Sequence, residues 1–97
     1  MFRVTISQRA EKNLDEIIHY LESEWSISVR DNFLAIFKEK IEFIASNPWM
    51  YQASKKKKRI RRCVVGSQNI IYYQIKGNEV EIITVQDARQ NPRKLKL

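Results

Sequence analysis

The stretch Lys55-Lys56-Lys57-Lys58-Arg59-Ile60-Arg61-Arg62 places seven cations in eight consecutive positions. Guanidinium forks match the geometry of phosphate and carboxylate oxygens, whereas lysine ammonium groups act as point charges. The first chemistry to consider is therefore attraction of a polyanion, and the second is stabilisation of charge on a phosphorane during RNA cleavage. Cleavage through a 2′-hydroxyl also needs a general base and a general acid. Positions 51–62 contain no carboxylate, and the one histidine, His19, lies far upstream. Crowding among Lys55, Lys56, Lys57 and Lys58 disfavours their ammonium forms and would lower their pKa values, which makes them the catalytic candidates of a nuclease reading, with Arg61, Arg62 and Arg89 as its charge stabilisers. The competing reading is that salt screens these lysines and they only bind polyanions.

The elements that must position this run follow from periodicity. Phe2, Val4 and Ile6 alternate with Arg3 and Thr5, which predicts a short half-buried strand. Ser7 is an N-cap for a helix over Gln8 to Glu24, whose apolar stripe is Ala10, Leu14, Ile17, Ile18 and Leu21. After the break at Trp25, Ser26 or Ser28 caps a second helix with the stripe Val29, Phe33, Ile36, Phe37, Lys40, Ile41 and Ile44. Lys40 falls at the stripe's margin, where its stem can cover apolar surface while its ammonium stays wet. Asn47-Pro48 ends that helix. Trp49, Met50 and Tyr51 are expected to tuck against the helix pair as a loop, the commoner role for such a cluster, with a base-stacking platform as the alternative. Ile60 to Val65, Asn69 to Lys76 and Glu79 to Val85 read as three strands, the last two joined at Gly77-Asn78. Arg59, Arg61 and Arg62 are then carried by the first of these strands. Both faces of the later two carry apolar residues, so something must cover part of the second face. Of Tyr72 and Tyr73, alternation sends one into the core.

The order is β-α-α-β-β-β, an α+β fold in which an antiparallel helical hairpin packs on one face of a small antiparallel sheet. The 97 residues form a single domain over 1–97, with a net charge of +7. Most acids lie in the first half, and the base is concentrated in Lys55 to Arg62 and Arg89 to Lys96, which favours nucleic acid or an acidic protein segment as partner. Cys63 is the sole cysteine, so no intramolecular disulfide and no thiol metal cluster is expected, and it reads as a small buried hydrophobe. No cofactor and no metal is called for. No apolar run is long enough to span a bilayer and no signal peptide is visible, so the expected compartment is the cytoplasm.

Several features occur together in this order: Ala10-x-x-x-Leu14-x-x-Ile17, Tyr20-Leu21 before Trp25-Ser26, and Asn47-Pro48. They continue with Ile60-Arg61-Arg62, Ile71-Tyr72-Tyr73-x-Ile75, and Ile82-Ile83-x-Val85 before Arg89-Gln90-x-Pro92. Nearly the whole chain thereby resembles the RelE/ParE superfamily of toxins from bacterial type II toxin–antitoxin modules. The resemblance implies a cytoplasmic, growth-inhibiting protein, associated with plasmid stabilisation, that is neutralised by a cognate acidic antitoxin folded around it. Assembly would be a homodimer or a toxin–antitoxin hetero-oligomer. The RelE-like branch cleaves mRNA, usually on the ribosome, and many of its nucleases place a His or Tyr just beyond the last strand. Here no His or Tyr follows Arg89, and the ending is more like the ParE branch, which poisons DNA gyrase. The ParE-like reading is favoured, with a RelE-like endoribonuclease and a non-toxic nucleic-acid-binding or interaction module as alternatives. Arg59, Arg61, Arg62 and Arg89 are the expected target-binding residues, and alanine at Arg61, Arg62 or Arg89 is expected to weaken toxicity more than folding.

Overall fold

The computed structural model describes residues 1–88 of the chain. β1 (Arg3–Ile6) leads into α1 (Gln8–Glu24) and α2 (Ile27–Ser46), a 3-10 turn follows at Pro48–Met50, and β2 (Arg61–Val64), β3 (Asn69–Lys76) and β4 (Glu79–Asp87) complete the order. Both helices start where a serine oxygen takes an otherwise unpaired amide: Ser7 accepts from the N–H of Ala10 at 3.0 Å and Ser26 from that of Val29 at 3.1 Å. Ala10, Ile17 and Leu21 of the expected stripe are buried on α1, and Phe33, Phe37 and Ile44 on α2, where Ala45 is buried as well. Lys40 is half-buried with its ammonium 5.7 Å from the Phe43 ring centre.

The sheet order is β1-β4-β3-β2. The last three strands form the expected antiparallel meander, and Gly77 takes a φ of +61° at the β3–β4 turn. Asn78 does not share that positive φ, so only the glycine exploits the left-handed region. The sheet differs from an all-antiparallel one at its far edge, where β1 pairs parallel with β4 in the register Val4 to Val80 and Ile6 to Ile82. A parallel neighbour needs a long connection, and here both helices and the strands β2 and β3 lie between β1 and β4. The Phe2 N–H donates to the Ala45 carbonyl at 2.8 Å, which ties the start of β1 to the end of α2.

Helices and sheet enclose one core in which Ile17, Leu21, Phe33, Phe37 and Ile44 meet Cys63, Ile71, Tyr73, Val80 and Ile82. Tyr72 is also buried, outside that cluster and on the alternate face of β3, so the second face is covered at that point. The register slips by one residue between Tyr72 and Tyr73, with Ile83 as the extra residue on β4. Just beyond the slip, Asn13 of α1 accepts from the Thr84 hydroxyl at 2.6 Å and from the Val85 N–H at 3.1 Å, capping the edge of β4 that the short β1 does not reach. Among the described residues no helix is long and apolar enough to cross a membrane.

Candidate functional site: a clamped basic rim

The basic run is an ordered loop at the free end of the meander. Gln52 to Ser54 lies antiparallel beside β2, with a bridge between Ala53 and Arg61 and a bond from the Arg62 N–H to the Gln52 carbonyl at 3.0 Å. The loop closes where the Ser54 N–H donates to the Ile60 carbonyl at 2.6 Å and the Ile60 N–H donates to the Lys57 carbonyl at 3.0 Å. The Ser54 hydroxyl accepts from the Lys56 N–H at 3.2 Å. Ser54 and Ile60 are buried, while Lys55, Lys56, Lys57, Lys58 and Arg59 are all exposed. A short hairpin with a buried base therefore holds five cations out in solvent.

Arg59 departs from expectation. β2 begins at Arg61, and Arg59 sits with Lys58 in the turn before it. The Lys57–Ile60 bond bends the backbone into a turn there, which no strand ladder can accommodate.

Arg61 and Arg62 point to opposite faces of β2, as neighbours on a strand must. Arg62 is exposed, and its side chain makes no hydrogen bond or ion pair among the described residues. Arg61 is half-buried and engaged with its own chain. Its Nη1 donates to the Tyr51 carbonyl at 2.5 Å and lies 3.4 Å from the Trp49 carbonyl, and its guanidinium carbon sits 5.1 Å from the centre of the Trp49 ring. The same turn is gripped from below, because the buried Tyr73 hydroxyl donates to the Pro48 carbonyl at 2.6 Å. Tyr51 packs edge-on against Tyr73 with 6.5 Å between ring centres. Three carbonyls of the turn, those of Pro48, Trp49 and Tyr51, are thus held from the sheet. Arg61 acts inward as a fastener, and Arg62 faces outward.

Of the three residues expected to tuck against the helices, only Tyr51 packs on the core, and it does so against Tyr73 of the sheet. Trp49 is 59% exposed and Met50 53% exposed. The fasteners act on backbone carbonyls, which leaves the indole free of the core. Trp49 and Ile75 instead contribute apolar surface to an open groove of about 410 Å³ whose other walls include Lys58, Arg59, Arg61 and Lys76. Trp49, expected from the sequence to anchor the loop on the helices, and Lys76, not singled out there, both line this groove. An aromatic directly after a helix-ending proline is the local signal for the first, while Lys76 reaches the groove only through the sheet register.

Burial pushes the Tyr51 phenol up to about 12, reinforced by its hydrogen bond with Cys63. Burial likewise raises the Cys63 thiol, opposed by the Tyr51 bond and the nearby Lys40 charge, and it raises Tyr73. All three therefore keep their protons at neutral pH, and the thiol is a packing group as expected. His19 is exposed on α1, which packs on β4 and α2. The four lysines project into solvent, where salt screens their mutual repulsion. Arg89 lies outside the described residues.

Residues 4–92 match the family described as the ParE toxin of the type II toxin-antitoxin system, parDE. Toxin ParE1 of Caulobacter vibrioides is 34% identical over 89 residues, which cover 91% of each chain. The fold is shared with the chromosomal ParDE toxin–antitoxin system of P. aeruginosa, at a TM-score of 0.72 and 16% identity over 90% of this chain and 96% of that one. It is shared too with a chain of the E. coli DinJ-YafQ complex, at a TM-score of 0.64 and 9% identity over 95% and 99% of the two chains. With the match running through both helices, the clamped turn and the whole meander, this chain belongs to the ParE toxin family of type II toxin–antitoxin systems.

Proposed function

We propose that the protein arrests bacterial growth from the cytoplasm by inhibiting DNA gyrase, and that a cognate acidic antitoxin holds it silent. The observation that carries this reading is the match to the ParE family over residues 4–92, supported by 34% identity to a protein named as a ParE toxin. Tyr51, the titratable phenol packed beneath the rim, is held protonated by burial, which makes it unsuited to the general-base step of RNA cleavage. In this reading Arg59 and Arg62 present charge to the target from a hairpin whose backbone Arg61 and Tyr73 fix, and Arg89 adds to them from the C-terminal segment. An antitoxin partner is the counterpart of the ParDE and DinJ-YafQ assemblies with the same fold.

The test is a supercoiling reaction with purified gyrase and relaxed plasmid. The expected result is loss of supercoiling and accumulation of cleaved gyrase–DNA complex. Normal supercoiling without cleaved complex, while the protein still arrests growth, would sink the gyrase reading. Codon-linked cuts in primer extension would then assign the RelE-like endoribonuclease activity in its place. Absence of any growth defect would leave the non-toxic binding module.

A further inference from the structure

The groove beside Trp49 has a chemistry distinct from that of the outward face carrying Arg62. Its walls offer an indole, the aliphatic Ile75, and the cations Lys58, Arg59, Arg61 and Lys76, with no acid among them. The nearest compensating carboxylate is Glu81, 3.6 Å from the Lys76 ammonium, and Lys76 remains well exposed. A tryptophan 59% exposed is costly to leave in water, yet three fastened carbonyl positions hold its turn in place. The arrangement is a rigid aromatic platform with one cation already on it and others around its edge.

We infer that this groove binds single-stranded nucleic acid, with a base stacked on Trp49 and the flanking phosphates on Arg59, Lys58 and Lys76. Stacking surfaces bordered by cations are the sequence-tolerant way proteins hold unpaired strands. A groove of about 410 Å³ has room for one or two nucleotides. An acidic peptide fits less well. The neighbouring backbone is already paired, Ala53 with Arg61 and Arg61 with Tyr73, so a peptide would find no open strand edge along the groove. This inference goes beyond the gyrase reading and does not rest on it.

The chain has two tryptophans, so Trp25→Phe leaves Trp49 as the sole indole reporter. Titrating that protein with short oligothymidylate and oligouridylate should quench its emission. Trp49→Leu, followed by anisotropy of a labelled oligothymidylate, should weaken binding about tenfold. Arg59→Gln and Lys76→Gln, both at exposed positions, should each flatten the log–log salt dependence by about 0.7. Circular dichroism of each variant checks that the fold is kept. Equal quenching by polyglutamate at matched charge would overturn the inference in favour of an acidic protein segment. Equal affinity for a duplex, or unchanged affinity in Trp49→Leu, would overturn it in favour of bulk charge attraction.

Discussion

The two ends of the sheet are held by different physics. At the β1–β4 end, a parallel strand and two helices bury Ile17, Leu21, Val80 and Ile82, and stability comes from apolar area removed from water. At the β2 end, the residues that matter are polar side chains bonded to backbone: Arg61 to the Tyr51 and Trp49 carbonyls, and Tyr73 to the Pro48 carbonyl. A core can tolerate many apolar solutions, but a charged loop cannot be packed that way. Fastening its carbonyls from below fixes the backbone and leaves the side chains outside for a partner.

The sharpest separation between the ends should appear in truncations. Leu21→Ala or Ile82→Ala at the core end should cost about 2–5 kcal/mol in urea unfolding. Arg61→Ala should cost about 1.5–3 kcal/mol, since it removes charge-assisted bonds to carbonyls that are then left poorly paired. Its loss should also release Trp49, read as a red shift of tryptophan emission. Tyr73→Phe should cost about 1–2 kcal/mol by orphaning the Pro48 carbonyl, with little change elsewhere.

Alkali should act on the same end. The folded state holds Tyr51 at about 12 against an ordinary 10.0, so its contribution is complete below pH 10 and is lost as pH rises towards 12. Tyr73 and Cys63 are raised as well, so their contributions run the same way. Thermal midpoints should therefore fall above pH 9 to 10, and Tyr51→Phe should shallow that fall.

Legibility in the sequence tracked locality. The serine caps, the helical stripes and the span of β3 follow from neighbours within four residues, and they were readable at Ser7 and Asn69 to Lys76, while Ser26 and Ser28 stayed equal candidates until the structure placed the cap at Ser26. The parallel pairing of β1 was not, because it depends on where the chain returns after two helices and two further strands, between Ile6 and Glu79. Arg59 reads as strand because it alternates with Arg61, and no Gly or Pro marks the Lys58-Arg59 turn. The clamp was hidden for a related reason. Arg61 and Arg62 are indistinguishable as letters, and only the pleat decides that one grips carbonyls ten to twelve residues upstream while the other meets solvent. The family resemblance, by contrast, was carried by widely spaced features and was legible throughout.

The smallest stability effect belongs to the residues that matter most to the account. The most direct test pairs a growth assay with thermal unfolding for the Arg59→Ala/Arg62→Ala double variant. Both side chains are exposed, so its stability should stay within about 0.5 kcal/mol of the parent while growth arrest is lost. Full toxicity in this variant, or a fall in stability as large as that of Arg61→Ala, would contradict the division of the rim into an inward fastener and outward contacts.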